Sequence, residues 1–232
     1  MTTHETVSAP GGVVLDSDLE LPDSPRAVVL FAHGSGSSRR SPRNRAVALA
    51  LCHSGLASLL PDLLTVREAE QDAVSAEYRF DIPLLAERLV AAVDWLSGHP
   101  ATRDLPLHLF GASTGAAAAL VAAGRRPARV RSVVSRGGRP DLAGEALEHV
   151  RAPVLLLVGE LDTEVLRLNR EAASRMGAPS EVEVVLGASH LFEEPGTLKR
   201  VTEAAREWFL NPSPPDDEPS PPPGSPGGGD GR

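Results

Sequence analysis

The stretch PLHLFGASTGAAAALVAAG, residues 106–124, decides how the rest of the chain is read. Its first half is an apolar run interrupted only by His108, as expected of a strand covered on both faces. Its second half consists of small helix-forming residues and ends at Gly124. Between them lies Gly111-Ala112-Ser113-Thr114-Gly115, a G-x-S-x-G match. The match alone is weak in a sequence rich in small residues. Its position between strand and helix is what matters, because a sharp strand-to-helix turn presents the serine hydroxyl at the end of a sheet. The amide of Thr114 then lies at a helix N-terminus, where it can donate to a developing oxyanion.

The same alternation extends in both directions. AVVLFA (27–32), LASLLP (56–61), VRSVVS (130–135), PVLLLVG (153–159) and EVEVVLG (181–187) read as strands. NRAVALALCHSG (44–55), LLAERLVAAVDWL (84–96), a short segment around 141–149, 164–176 and 197–209 read as helices. Apolar strands separated by helices predict a doubly wound, mostly parallel sheet with helices on both faces. Residues 12–22 alternate loosely and predict one or two antiparallel edge strands within an N-terminal segment, 1–25. The core is expected over 26–211. Residues 212–232 are almost entirely Pro, Gly, Ser and acid, which predicts a disordered tail.

The bulk properties exclude several classes of function. The 232 residues carry a net charge of −8, which argues against nucleic acid or an anionic membrane as partner. The tail, with Asp216, Asp217, Glu218 and Asp230 against Arg232, holds −3 of it. A single cysteine, Cys52, excludes an internal disulfide or a multi-cysteine zinc site. It falls within a helical apolar pattern and reads as a buried thiol. The N-terminus has no secretory pattern and no apolar run is long enough to span a bilayer, so a cytoplasmic protein is expected. No cofactor or metal is expected, and the chain should be a monomer or homodimer.

A serine nucleophile needs a base, and the base needs an orienting carboxylate. Where the serine sits on such a turn, the chain order is serine, acid, histidine. Only His149 and His190 follow Ser113. His149 ends a short amphipathic segment and reads as a surface residue. His190 lies in the loop after 181–187 and is the expected base. Asp162, just beyond the strand 153–159, is the expected acid, with the capping of the next helix as its alternative role. Glu160 and, more distantly, Asp141 compete for that place. The second oxyanion donor is expected from the glycine loop after 27–32, through the backbone of Ser35. His33 reads as an imidazole bracing that loop. Arg39 and Arg136, together with Arg40, Arg43 and Arg139, could contact a carboxylate or phosphate on a substrate.

FAHGSGSSRRSPRN, LLPDLLT, YRFDIPLLAERLVAAVDWL, GASTGAAAAL, VSRGGRPDLAG, VGELDTEV and GASHLFEEPGTL together resemble the dienelactone-hydrolase-like branch of the α/β-hydrolase superfamily. The resemblance spans about 27–209. It implies an α/β-hydrolase fold, a triad of Ser113, Asp162 and His190, and an oxyanion hole from the amides of Thr114 and Ser35. The sequence departs from that family at the nucleophile, where a cysteine is usual and Ser113 stands. Relatives of this subgroup also occur fused to phosphoribosyltransferase domains, and no such segment is visible in this sequence. The short connection between 130–135 and 153–159 leaves no room for a large cap domain. Only 62–83 offers another long connection, so an open site is expected. The expected activity is hydrolysis of a small-molecule carboxylic ester or lactone through an acyl-enzyme. A thioesterase or acyltransferase using the same triad, or a non-catalytic binding module, are the alternatives.

Overall fold

The computed structural model describes residues 1–211. The tail expected over 212–232 lies outside the described residues. The strands are β1 (Thr2–Ala9), β2 (Val13–Glu20), β3 (Ala27–Ala32), β4 (Leu56–Pro61), β5 (Leu107–Ala112), β6 (Val130–Arg136), β7 (Val154–Gly159) and β8 (Ser180–Val185). They form one sheet in the order β1-β2-β4-β3-β5-β6-β7-β8. The six strands from β4 to β8 in that order are parallel, and β1 and β2 are antiparallel additions at one edge. The helices are α1 (Pro42–His53), α2 (Val66–Ser75), α3 (Ile82–Gly98), α4 (Thr114–Arg125), α5 (Thr163–Arg175) and α6 (Thr197–Leu210). Among the described residues no helix is long and apolar enough to cross a membrane.

The central strands are mostly apolar because both faces are covered. On one face Leu107 and Leu109 of β5 pack with Leu85 and Leu89 of α3 and with the alanines of α4. On the other, Phe110 packs with Val47 and Leu51 of α1 and Val201 and Phe209 of α6. Ala116 to Ala119, Ala122 and Ala123 are fully buried. Side chains this small let α4 lie close against the sheet, so the turn at Ser113 is held firmly from behind.

Two elements exceed the expectation from sequence. β1 is polar and only Val7 and Ala9 of it are buried, so its alternation is faint; it is held by pairing with β2. Within 62–83, a stretch without clear helical periodicity, lies the helix α2. Thr65 and Glu68 form a complete capping box at its start, the T-x-x-E signal that would have found it. Between β6 and β7 the chain makes only short 3-10 turns over Pro140–His149, so no cap domain is inserted there.

Gly115 and Gly111 show how tightly the turn is packed. A Cβ on Gly115 would collide with the carbonyls of Ala32 and His33, and one on Gly111 with the backbone of Ala116. Gly115→Ala is therefore expected to cost about 3 kcal/mol, as overpacking against backbone that cannot yield. An unchanged chemical-denaturation midpoint would refute this.

A buried histidine adds pH sensitivity. His108 points to the α6 side of β5, 2 % exposed, with Nδ1 2.8 Å from Ser132 Oγ and its ring 5.1 Å from that of Phe209. Burial, helped by Arg131, pushes its pKa from 6.5 down to about 4. The unfolded chain thus binds a proton that the folded chain refuses, and stability is lost as pH falls from 6.5 towards 4. The loss is expected to reach about 2–3 kcal/mol at pH 4.5. Thermal melting between pH 7 and 4.5 checks this: His108→Gln should reduce the slope, leaving the share from His33, also lowered by burial.

Candidate active site

Ser113 occupies the junction of β5 and α4 with φ 50° and ψ −124°, in the left-handed region that non-glycine residues avoid. Its neighbours enforce this conformation. The Ser113 N–H donates to the Arg136 carbonyl at 3.2 Å, and its carbonyl accepts from the N–H groups of Ala116 and Arg139, each at 3.1 Å. The side chain is half-buried and stands at the carboxyl end of the sheet, where ligands bind in doubly wound folds.

The loop after β3 folds towards it. Its Ser37 N–H donates to the Gly34 carbonyl at 3.2 Å, closing a turn. The Ser35 and Thr114 hydroxyls are 3.0 Å apart, tying the loop to the start of α4. His33 braces the loop from below: Nε2 accepts the Leu63 N–H at 3.0 Å, and Nδ1 lies 3.0 Å from the Gly34 carbonyl. That pattern requires the neutral Nδ1–H tautomer, in keeping with a pKa lowered by burial.

Asp162 and His190 are brought together from the ends of β7 and β8. His190 Nδ1 lies 2.6 Å from Asp162 Oδ2. Asp162 stands at the N-cap position of α5 but makes no side-chain cap bond, so its carboxylate is turned to the histidine instead. The loop carrying His190 is anchored by buried Phe192 and by Glu194, whose carboxylate accepts the Ser189 N–H at 3.1 Å. It packs on Gly137, the residue after Arg136, where a Cβ would lie 3.1 Å from the His190 carbonyl oxygen and 3.6 Å from His190 Nδ1. Ser113 and His190 thus flank the same segment of chain at the end of β6. Among the described residues no direct hydrogen bond joins the Ser113 hydroxyl to the imidazole.

The competing residues are otherwise engaged. Glu160 is exposed and accepts the Gly187 N–H at 2.8 Å. Asp141 pairs with Arg139 at 2.7 Å. His149 is exposed at the end of its 3-10 segment, with Nδ1 3.2 Å from the Glu145 carbonyl. Cys52 is half-buried, less enclosed than expected, and burial raises its thiol pKa. Arg39 is engaged within the protein. Its guanidinium is bound to Asp62 and lies 3.5 Å from Asp18 and 3.8 Å from Asp16. Three carboxylates thus already oppose its charge. The sequence concealed this because the three aspartates come from β2 and from beyond β4. Arg136, in contrast, is buried at the end of β6 with no carboxylate beside it among the described residues.

A cavity of about 300 Å3 opens beside the 33–38 loop. Leu64, Ala69, Ala73 and Leu85 give it an apolar wall, and Asp72, Arg79, Thr114 and the loop serines form its polar side. α2 forms one wall and is fixed by buried charge. Arg88, 3 % exposed, grips Glu68 through two hydrogen bonds and also reaches the Leu63 carbonyl. The Arg88 guanidinium holds the Glu68 carboxyl down to about 2. Burial would raise the pKa of Asp72, but the N–H groups of Arg79 and Tyr78 and the Arg79 guanidinium outweigh it and lower it. Arg88→Met should cost about 3 kcal/mol by stranding Glu68. It should also raise hydrogen exchange in 66–75 relative to the sheet. Protection there equal to that of the unaltered protein would contradict this role for Arg88.

The mostly parallel eight-stranded sheet, with its serine on a strained strand-to-helix turn, defines an α/β-hydrolase fold. Residues 15–211 match the dienelactone hydrolase family, and the chain belongs to that family, a family of hydrolases. A crystal structure of dienelactone hydrolase from Anabaena variabilis is 52% identical, with a TM-score of 0.88 over 91% of this chain and 97% of that one. Est1E from Butyrivibrio proteoclasticus shares the fold at 15% identity, with a TM-score of 0.74 over 90% of this chain and 98% of its own. Two Mycobacterium tuberculosis proteins, from strains CDC 1551 and H37Rv, that carry the name phosphoribosyl transferase are 52% identical over 201 residues. That match covers 87% of this chain and 44% of theirs, so the chain spans less than half the length of those relatives.

Proposed function

We propose that this protein cleaves small carboxylic esters or lactones through an acyl-enzyme on Ser113. The observation that carries the proposal is the 2.6 Å contact between Asp162 Oδ2 and His190 Nδ1 at the strand ends next to the strained Ser113. With Nδ1–H donated to Asp162, His190 Nε2 is left as the acceptor. It takes the proton from Ser113 Oγ as that oxygen attacks the ester carbon. The oxyanion is stabilised by the amides of Thr114, at the α4 N-terminus, and Ser35. His190 then returns the proton to the departing alcohol. Water, deprotonated by His190, attacks the acyl-serine, and collapse releases the acid and restores Ser113.

The departing oxygen has to face His190. This puts the acyl part on the side of the 33–38 loop, where the 300 Å3 cavity lies. Its size and apolar wall suit a short acyl group and not a long chain. A panel of p-nitrophenyl esters of increasing acyl length, with lactones and acyl thioesters alongside, tests the reading. Turnover is expected for short-chain esters or lactones, falling as the acyl chain outgrows the cavity. Turnover confined to thioesters would replace the reading with a thioesterase, and none on any of them would remove it.

A further inference from the structure

Arg136 is the buried cation that this mechanism leaves without a task. It is 9 % exposed, and its side chain makes no hydrogen bond or ion pair among the described residues. Nη1 is fully enclosed without an acceptor. The guanidinium carbon is 6.0 Å from the centre of the Phe110 ring, on the α1 side of the sheet. Burial, and repulsion from Arg43, push its pKa down to about 10, so it remains charged at neutral pH. A buried unpaired charge is costly, and a second cation beside it raises the cost.

That second cation stands in the first turn of α1, after the Ser41 cap and Pro42. Arg43 Nη1 reaches Glu193 at 2.8 Å, but Glu193 is 62 % exposed and Arg43 Nε is buried without a partner. The contact with Glu193 places Arg43 against the loop of His190. The carbonyl of Arg136 receives the N–H of Ser113. Arg43 lies near enough to repel Arg136, and it stands at the positive end of the twelve-residue helix α1, while the Arg136 backbone borders the nucleophile turn. Among the described residues, one exposed carboxylate, Glu193, pairs with Arg43.

We infer that Arg136, Arg43 and the N-terminus of α1 form a binding site for a phosphate group on the substrate. The assignment to substrate rests on the esterase reading above; the site itself does not. The charge balance selects phosphate. Two cations and a helix dipole overmatch a single carboxylate but suit a dianion with three acceptor oxygens. Arg39, paired with three aspartates, shows what a structural arginine looks like in the same chain. The substrate class is therefore a phosphorylated ester or lactone.

Calorimetric titration of the whole chain with inorganic phosphate, and separately with acetate, tests this in about 0.15 M NaCl, which screens loose surface attraction. Saturable phosphate binding is expected, with acetate weaker by roughly tenfold or more. Arg43→Met and Arg136→Met should each weaken phosphate by roughly tenfold or more. Arg126→Gln, at the far end of α4 and paired with Asp94, is the control and should bind normally. If Arg136→Met does not fold, Arg43→Met decides. Absence of saturable binding, acetate binding as tightly as phosphate, or full binding by Arg43→Met would overturn the site. The titration is repeated on Ser113→Ala. Phosphate binding there, with no esterase in the unaltered protein, would keep the site and discard the esterase. Ester turnover without phosphate binding would do the reverse.

Discussion

Ser113→Ala is expected to abolish covalent labelling by a fluorophosphonate and to lower ester turnover by roughly 10,000-fold. The size of the effect follows from the chemistry. Without Oγ no acyl-enzyme forms, and only binding and the oxyanion donors remain to assist water. The fold should tolerate the change, because the Ser113 side chain takes part in no hydrogen bond that holds the turn; its backbone makes those bonds. The positive φ of 50° is borne equally badly by alanine and serine, so the strain is common to both. Labelling is compared in the two proteins at matched folding, checked by circular dichroism. Equal labelling of both would remove Ser113 from the mechanism, and with it the acyl-serine.

Asp162→Asn should cost a comparable amount, roughly 10,000-fold in turnover with little change in KM. The carboxylate accepts the Nδ1 proton of His190. An amide in its place can instead donate to Nδ1, which moves the imidazole proton to Nε2, where it blocks the acceptance of the serine proton. The contrast with the competing acids makes the test sharp. Glu160→Gln loosens a bond to the Gly187 N–H, and Asp141→Asn loosens an ion pair with Arg139. Both should keep turnover within a few-fold. Full activity in Asp162→Asn together with loss in Glu160→Gln would move the role of acid from one residue to the other.

Much of the fold was legible in the sequence because the parallel strands are covered on both faces. A strand in that setting has no fully polar side, so β3 to β7 stand out as largely apolar runs, and helices of period 3.6 fall between them. The elements that escaped lie at the margins. β1 is an edge strand with two buried residues, and its stability comes from its partner. α2 is short and polar, and is held by Glu68–Arg88 and Asp72–Arg79, contacts made after the chain has folded back. Only its capping box was written locally.

The stretch 106–124 by itself determined the place of the candidate nucleophile, since glycine at 111 and 115 and alanine behind them are needed for so tight a turn. The order of Ser113, Asp162 and His190, after β5, β7 and β8, was equally a matter of sequence. What tertiary structure decided is charge. Arg39 and Arg136 were alike as sequence, each an arginine after a strand. Folding delivers three carboxylates to the first, from β2 and from the end of β4, and none to the second among the described residues. Pairing over such distances depends on which strands become neighbours, and no local pattern of residues records that.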